Sequence, residues 1–360
     1  MKLAFIKHLN SYNMISSNSP FREFLTELSS QPQIALDTEA DSLHCYFEKL
    51  CLVQIGWPGA LKLLDPLAKL PLPDFFEALR GKRLIFHDAD YDLRLLRRSG
   101  EFPDDHIFDT MLAAKLCGEP QLGLAALIKK FFNVELSKAS RKANWGQRPL
   151  SNQMVEYALN DVRYLVDLAD IFEERLEELG RNEWFLQSRD RMIKATREVK
   201  QRDEETLWRI AGYIKLPPRS WVVLRAMWQW RDHEARRWDK PPFYIMSHEE
   251  MLEISDLVSQ GKKWKAPKFA QDRAIRFQEA LEKALAIPEA EWPEEIIRIR
   301  VFITKKEADS FRKFKELRDR KARELGLDPS IIASKASLEA IAKNVNAPVL
   351  LPWQRTLLGL

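Results

Sequence analysis

Apolar runs of strand length recur between residues 33 and 87: QIALD (33–37), KLCLVQIGW (49–57), ALKLLD (60–65) and RLIFH (83–87). The first three lie so close together that they predict an antiparallel meander, because parallel neighbours need a long crossover. Apolar residues at helical spacing follow in PDFFEALR (73–80) and near 90–99, 109–117, 123–132 and 151–179. A meander followed by helix-linked strands predicts a mixed, three-layered α/β domain over residues 1–190. From about 200 onward the strand pattern stops. The remaining chain is helical, rich in tryptophan and broken by Pro217-Pro218 and Pro241-Pro242.

This second region contains a repeat. RDHEARRWDKPPFYIMSHEEMLEI (231–254) aligns without gaps on RDRKARELGLDPSIIASKASLEAI (318–341), an offset of 87 residues, with eight identities in 24 positions. Among them are Arg231/Arg318, Pro242/Pro329, Ile245/Ile332 and Ser247/Ser334. Two copies of one small all-α domain are therefore expected, at 205–290 and 295–360.

Composition adds little to this picture. With 45% hydrophobic and 31% charged residues the 360-residue chain has ordinary globular content, and a net charge of +4 is too small to name a partner. Cys45, Cys51 and Cys117 are an odd number without CxxC spacing, so neither a disulfide framework nor a zinc site is supported. MKLAFIKHLNSYNM lacks the apolar core of a signal peptide, and no apolar stretch approaches membrane-spanning length. A cytoplasmic location is expected.

Charge becomes informative at individual positions. Asp37 and Glu39 end the first strand and, being two apart, project from one face, while Thr38 points away. Neighbouring carboxylates repel unless something positive lies between them; the alternative is a strand end with one acid capping a turn. In LIFHDADYDLRLLRR, Asp88 and Asp90 suit capping of the helix that follows, and Asp92 is placed to point across the sheet. On the helix near 151–179, Tyr157 and Asp161 are four apart and share the inward stripe with Tyr164, Leu165 and Leu168. No lysine or arginine occupies that stripe, so an inward Asp161 lacks a partner. Carboxylate oxygens are the hard ligands that magnesium and manganese prefer, and paired ions of this kind serve phosphoryl displacement.

At these residues the sequence resembles the ribonuclease D family of the DEDD 3′–5′ exonucleases, in its tyrosine-bearing subgroup. The matching motifs are Asp37-Thr-Glu39, Tyr91-Asp92 after LIFH, and Tyr157-x-x-x-Asp161. The helical repeat resembles the family's HRDC module, present twice. The resemblance implies a ribonuclease H-like fold and a metal-dependent 3′–5′ exoribonuclease that releases nucleoside 5′-monophosphates from RNA 3′ ends such as tRNA precursors. It implies two divalent ions, Mg²⁺ or Mn²⁺: Asp37 would bridge both, Glu39 and Asp161 would complete the first, Asp92 would hold the second, and Tyr157 would orient the attacking water. Thr38, Leu43 and His87 would neighbour the terminal nucleotide, with a core role as the alternative for His87. A DNA exonuclease with the same chemistry is the nearest rival reading. A scaffold with a vestigial site should have lost an acid, and all four are present.

Four acids repel a polyanion, so RNA binding needs positive surface elsewhere. LSKASRKANWGQRP offers Lys138, Arg141, Lys142 and Arg148 without an acid, and Trp145 as a stacking platform. Residues 298–323 hold eleven Lys/Arg against four Asp/Glu, either as an RNA contact or as a solvated helix face. Trp221, Trp228, Trp230 and Trp238 could form a base-stacking ladder, but the seven-residue spacing of Trp221 and Trp228 favours core packing. Neither a membrane nor a protein partner is implied.

Overall fold

The structure, a computed structural model, describes residues 14–137, 140, 142–198, 203–265, 268–295 and 304–360. They form two compact units. One contains the described residues up to Ala40, from Leu50 to 198 and from 304 onward; the other contains Asp41–Lys49 and the described residues from 203 to 295.

The first unit is built on a six-stranded sheet of order β1-β4-β3-β2-β5-β6. Strands β2 (Gln33–Ala40), β3 (Leu50–Trp57) and β4 (Ala60–Leu64) form the expected antiparallel meander. β5 (Arg83–Phe86) pairs with β2 in parallel, and β6 (Ile107–Asp109) pairs with β5 in parallel. β1 (Met14–Ile15) closes the far edge against β4. Alternation along β2 divides the core: Ile34 and Leu36 face α1 (Asn18–Ser29), α2 (Leu72–Leu79) and α3 (Asp90–Arg97). Ala35 faces the opposite layer, made by α4 (Thr110–Leu116), α5 (Leu124–Phe132), α6 (Asn152–Arg163) and α7 (Leu165–Glu178). Central β3 is buried at every position, which is why LCLVQIGW reads as a nearly continuous apolar run. α8 (Asn182–Arg197) spans both layers, with Phe185 in one core and Ile193 in the other.

The α/β expectation holds, with three differences. The helix expected over 151–179 breaks at Tyr164 (φ −112°, ψ 0°), whose ring packs on Phe132 with centroids 5.4 Å apart. β1 and β6, with two and three residues, are too short to show a period. α8 continues beyond residue 190 and packs against α3 and α4.

Helix starts and capping bonds recur at the 87-residue offset. The second unit contains α9 (Glu204–Leu207), α10 (Pro218–Trp238), α11 (Pro242–Ile245), α12 (His248–Ser259) and α13 (Gln271–Leu285). The later copy consists of α14 (Lys305–Leu325), α15 (Pro329–Ile332), α16 (Lys335–Lys343) and α17 (Pro352–Leu357). α10, α11 and α12 begin 87 residues before α14, α15 and α16. Arg231 donates to the Met246 carbonyl at 3.2 Å, and Arg318 donates to the Ala333 carbonyl at 2.9 Å. Ser247 and Ser334 cap α12 and α16 through the same backbone bond.

The copies differ in their surroundings. The later one shares a core with the α/β domain, into which Ala322, Ile332, Leu338 and Trp353 pack beside Phe172 and Phe185. Trp353 stacks on Trp184 with centroids 4.7 Å apart, and Arg181 donates to the carbonyls of Leu116 and Leu325. A methyl at Gly118 would collide with the Gly326 carbonyl, so this approach requires glycine. In the earlier copy Trp221 and Trp230 are core residues, whereas Trp238 is exposed against Arg273. A ladder of four tryptophans is therefore excluded.

Candidate active site

Sheet register creates the site. β5 pairs with β2 only at Gln33–Ala35, while β2 runs on to Ala40, so its last residues have an open edge on that side. The turn after β5 brings the first turn of α3 against this edge. Such crevices at the carboxyl ends of parallel strands are where α/β sheets place ligands.

Asp37 and Glu39 project toward the layer containing α6, as two-residue alternation requires. α6 lies unusually close to the sheet: a Cβ on Gly56 would stand 3.1 Å from the Val162 carbonyl oxygen. That approach brings Asp161, one residue earlier on the helix, to the strand acids. Ligand oxygens of Asp37, Glu39 and Asp161 all lie within 4.8 Å of one another. Asp92 stands outside this trio and arrives from the opposite layer, where the Thr38 hydroxyl donates to its Oδ1 at 2.5 Å.

The four acids act on one another. Burial first, then Asp161 and Asp92, push Glu39 up to about 9. Burial and Asp92 push Asp161 to about 7. Asp92 also rises to about 7 through burial, against the bonds from Thr38 that favour its charged form. Asp37 is raised by burial and by the charges of Asp92, Asp161 and Glu39. Half-buried carboxylates this crowded could hold a divalent cation, whose charge would remove the repulsion and whose preference is for oxygen.

The remaining expected residues divide. Tyr157 lies on α6 one turn before Asp161, its ring packed against Trp145 at 6.1 Å. Trp145 is only 1% exposed, so the expectation of a stacking platform is corrected: no base can reach its face. Arg148 is corrected too. Its guanidinium makes paired bonds of 2.8 and 2.7 Å to Asp65 and also donates to the carbonyls of Trp145 and Cys51. It fastens the Trp145 loop to the sheet and is not available to phosphate. Lys142 is exposed, and Lys138 and Arg141 lie outside the described residues. Thr110 donates to the Phe86 carbonyl, so His87 must donate through Nδ1 to Thr110 Oγ1, 2.9 Å away, which commits that nitrogen to the fold. Leu43 is exposed in the Asp41–Lys49 segment of the second unit.

Asp88 does not cap α3. It takes a left-handed backbone (φ 68°), and the amides of Asp88 and Ala89 donate instead to Asp109. Asp90 pairs with Arg94 at 2.8 Å. Sequence reasoning also passed over Gln54, directly opposite Asp37 in the ladder. It is fully buried, and neither amide atom has a hydrogen-bond partner among the described residues. A lone polar residue inside LCLVQIGW was the available signal.

The chain is similar to known nucleases along most of its length. A family model described as 3′–5′ exonuclease matches residues 12–177, and one described as HRDC domain matches 222–263. Ribonuclease D of Bartonella henselae is 28% identical, with 98% of this chain and 90% of the relative covered. Ribonuclease D of Haemophilus influenzae is 28% identical, with 95% and 88% covered. Escherichia coli RNase D, described as an exoribonuclease involved in structured RNA processing, shares the fold at TM-score 0.70, 23% identity and 92% and 90% coverage. A protein from Bifidobacterium adolescentis does so at TM-score 0.82, 22% identity and 96% and 94% coverage. Along nearly its whole length the chain is similar to ribonuclease D proteins, and its residues 12–177 match the 3′–5′ exonuclease model.

Proposed function

We propose that this protein is a metal-dependent 3′–5′ exoribonuclease that releases nucleoside 5′-monophosphates from the 3′ ends of structured RNAs, tRNA precursors among them. The observation that carries the proposal is the convergence of Asp37, Glu39 and Asp161 within 4.8 Å, with buried Asp92 close enough to raise Asp37 and Asp161. Asp37, Glu39 and Asp161 would hold one divalent ion, and Asp37 with Asp92 a second, magnesium or manganese in each case. Bound there, such ions supply an acidified water and neutralise charge on the phosphate.

The chain's own groups do the rest. Tyr157, on the same helix face as Asp161, orients the attacking water through its hydroxyl. Thr38 holds the Asp92 carboxylate, and Leu43 packs against the terminal nucleotide. Lys142 and the exposed bases of α14 (Lys305, Lys306, Arg312, Lys313 and Lys315) supply a sequence-independent, salt-sensitive grip. The nuclease domain extends from the N-terminal region through α8, followed by HRDC-like copies at about 205–290 and 295–360. Three free, buried thiols are in keeping with a cytoplasmic location.

The test is degradation of matched RNA and DNA oligomers by the full chain, with Mg²⁺, Mn²⁺ or EDTA, and identification of the products. RNA should shorten from its 3′ end to 5′-monophosphates only with metal. Asp161→Ala should reduce the rate roughly 10³-fold, the loss of about 4 kcal/mol of charge stabilisation. Tyr157→Phe should lower kcat about 10²-fold with unchanged metal dependence. Failure to release 5′-monophosphates from RNA overturns the proposal, and faster loss of DNA replaces it with the DNA reading.

A further inference from the structure

Gln54 sits in the middle of β3, a strand buried at every position. Four sheet positions border its side chain. Asp37 and Leu63 stand directly across the two ladders, and Leu52 and Gly56 flank it on the same face of β3. Leu52 and Leu63 belong to the core on the α6 side, and Gly56 lies under Val162 of that helix. Asp37 is therefore the only one of the four with a polar side chain. Residues directly opposite in an antiparallel pair hold their Cβ atoms about 5 Å apart, and diagonal neighbours stand within roughly 7–8 Å. One diagonal neighbour of Gln54 is Glu39.

Neither amide atom of Gln54 has a hydrogen-bond partner among the described residues, and the residue has no exposed surface. A methionine or leucine of similar volume would fill this place without burying an unpaired amide. Packing alone gives no reason for glutamine here. The ladder register does, because it sets a hydrogen-bond donor beside one of the three acids whose oxygens lie within 4.8 Å of one another. Asp92 already has such a donor in the Thr38 hydroxyl, delivered from the opposite face of β2.

We propose that Gln54 is a positioning residue for the metal site: when Asp37 holds a divalent cation, Gln54 donates through Nε2 to the Asp37 carboxylate and fixes its orientation. Gln54 itself touches neither ion nor substrate. This rests on the metal-dependent reading of the site, and the experiment separates the two. Gln54→Met keeps the length of the side chain and removes the donor. In calorimetric titration of the full chain with Mg²⁺ it should weaken binding about tenfold, as loss of a hydrogen bond to a metal-ligating carboxylate does. The thermal midpoint in EDTA should equal or exceed that of the wild type, since a buried unpaired amide is gone. RNA hydrolysis should slow severalfold at the Mg²⁺ concentration that half-saturates the wild type and recover as Mg²⁺ is raised. Gln54→Leu should behave alike. In wild-type protein labelled with ¹⁵N at glutamine, the side-chain amide signal that Gln54→Met lacks should shift when Mg²⁺ is added. Unchanged Mg²⁺ affinity in both variants, or an amide signal indifferent to Mg²⁺, overturns the proposal. A wild-type chain that takes up Mg²⁺ but leaves RNA intact overturns the exoribonuclease reading and leaves Gln54 to be decided by calorimetry. A wild-type chain that takes up no Mg²⁺ overturns the metal site and the role of Gln54 with it.

Discussion

Thr38 Oγ1 and Asp92 Oδ1 meet at 2.5 Å across 54 residues of chain, joining the back of the strand that bears Asp37 and Glu39 to the first turn of α3. Thr38 faces away from its two acidic neighbours, and for that reason it can reach the acid that comes from the other layer. The bond favours the charged form of a carboxylate that burial would otherwise neutralise. Thr38→Val keeps the shape and removes the donor. It should slow RNA hydrolysis about 10- to 100-fold and raise the metal concentration needed for half-maximal rate. An unaltered metal titration would show that Asp92 is oriented by something else.

Gln54 lies opposite Asp37 with a fully buried amide that has no partner among the described residues. Leaving such a group unsatisfied costs about 1–3 kcal/mol. Gln54→Leu should therefore stabilise the metal-free protein by about that amount in denaturant titration while lowering the hydrolysis rate. If stability rises and activity holds, the amide serves no purpose in the site.

The acids make stability depend on pH with a definite sign. In the metal-free protein Glu39 titrates at about 9, and Asp92 and Asp161 at about 7, against about 4 in an unfolded chain. Between those limits the folded state holds protons that the unfolded state has lost, so this site lowers stability progressively as pH rises through the folded values. The thermal midpoint in EDTA should fall from about pH 5 to 9. Added Mg²⁺ should stabilise more at high pH than at low pH, and Asp161→Asn should flatten the EDTA profile. A Mg²⁺ effect independent of pH would contradict ligation by these carboxylates.

Trp353 packs flat on Trp184 and donates through Nε1 to Ser188 in a core shared with the α/β domain. Trp353→Ala should cost roughly 3–5 kcal/mol and lower the unfolding transition of the α/β domain itself. Removing residues 295–360 should accordingly destabilise the nuclease as well as weaken RNA binding. A truncated chain with an unchanged transition would mean that the shared core is dispensable.

The division between what pattern and packing each decided follows from the range of the forces. Strands β2 to β5, the helices near 73–80, 90–99, 109–117, 123–132 and 151–179, the 87-residue repeat and the DxE, YD and YxxxD acids were legible because periodicity and spacing are local properties of the chain, whereas α1 and α8 were not read. The convergence of Asp37, Glu39 and Asp161 rests on Gly56, which reads as a weak strand residue until α6 is seen resting on it. Trp145 and Arg148 looked like an RNA platform because a basic, aromatic loop has the same composition whether it faces solvent or folds onto Asp65. The sequence by itself determined which acids the protein carries and which element bears each, since side-chain direction follows from two- and 3.6-residue periods. Only the tertiary structure decided which polar groups are consumed internally, such as Thr38, His87 and Arg148, because those partners lie 23 to 83 residues away and are set by burial rather than spacing.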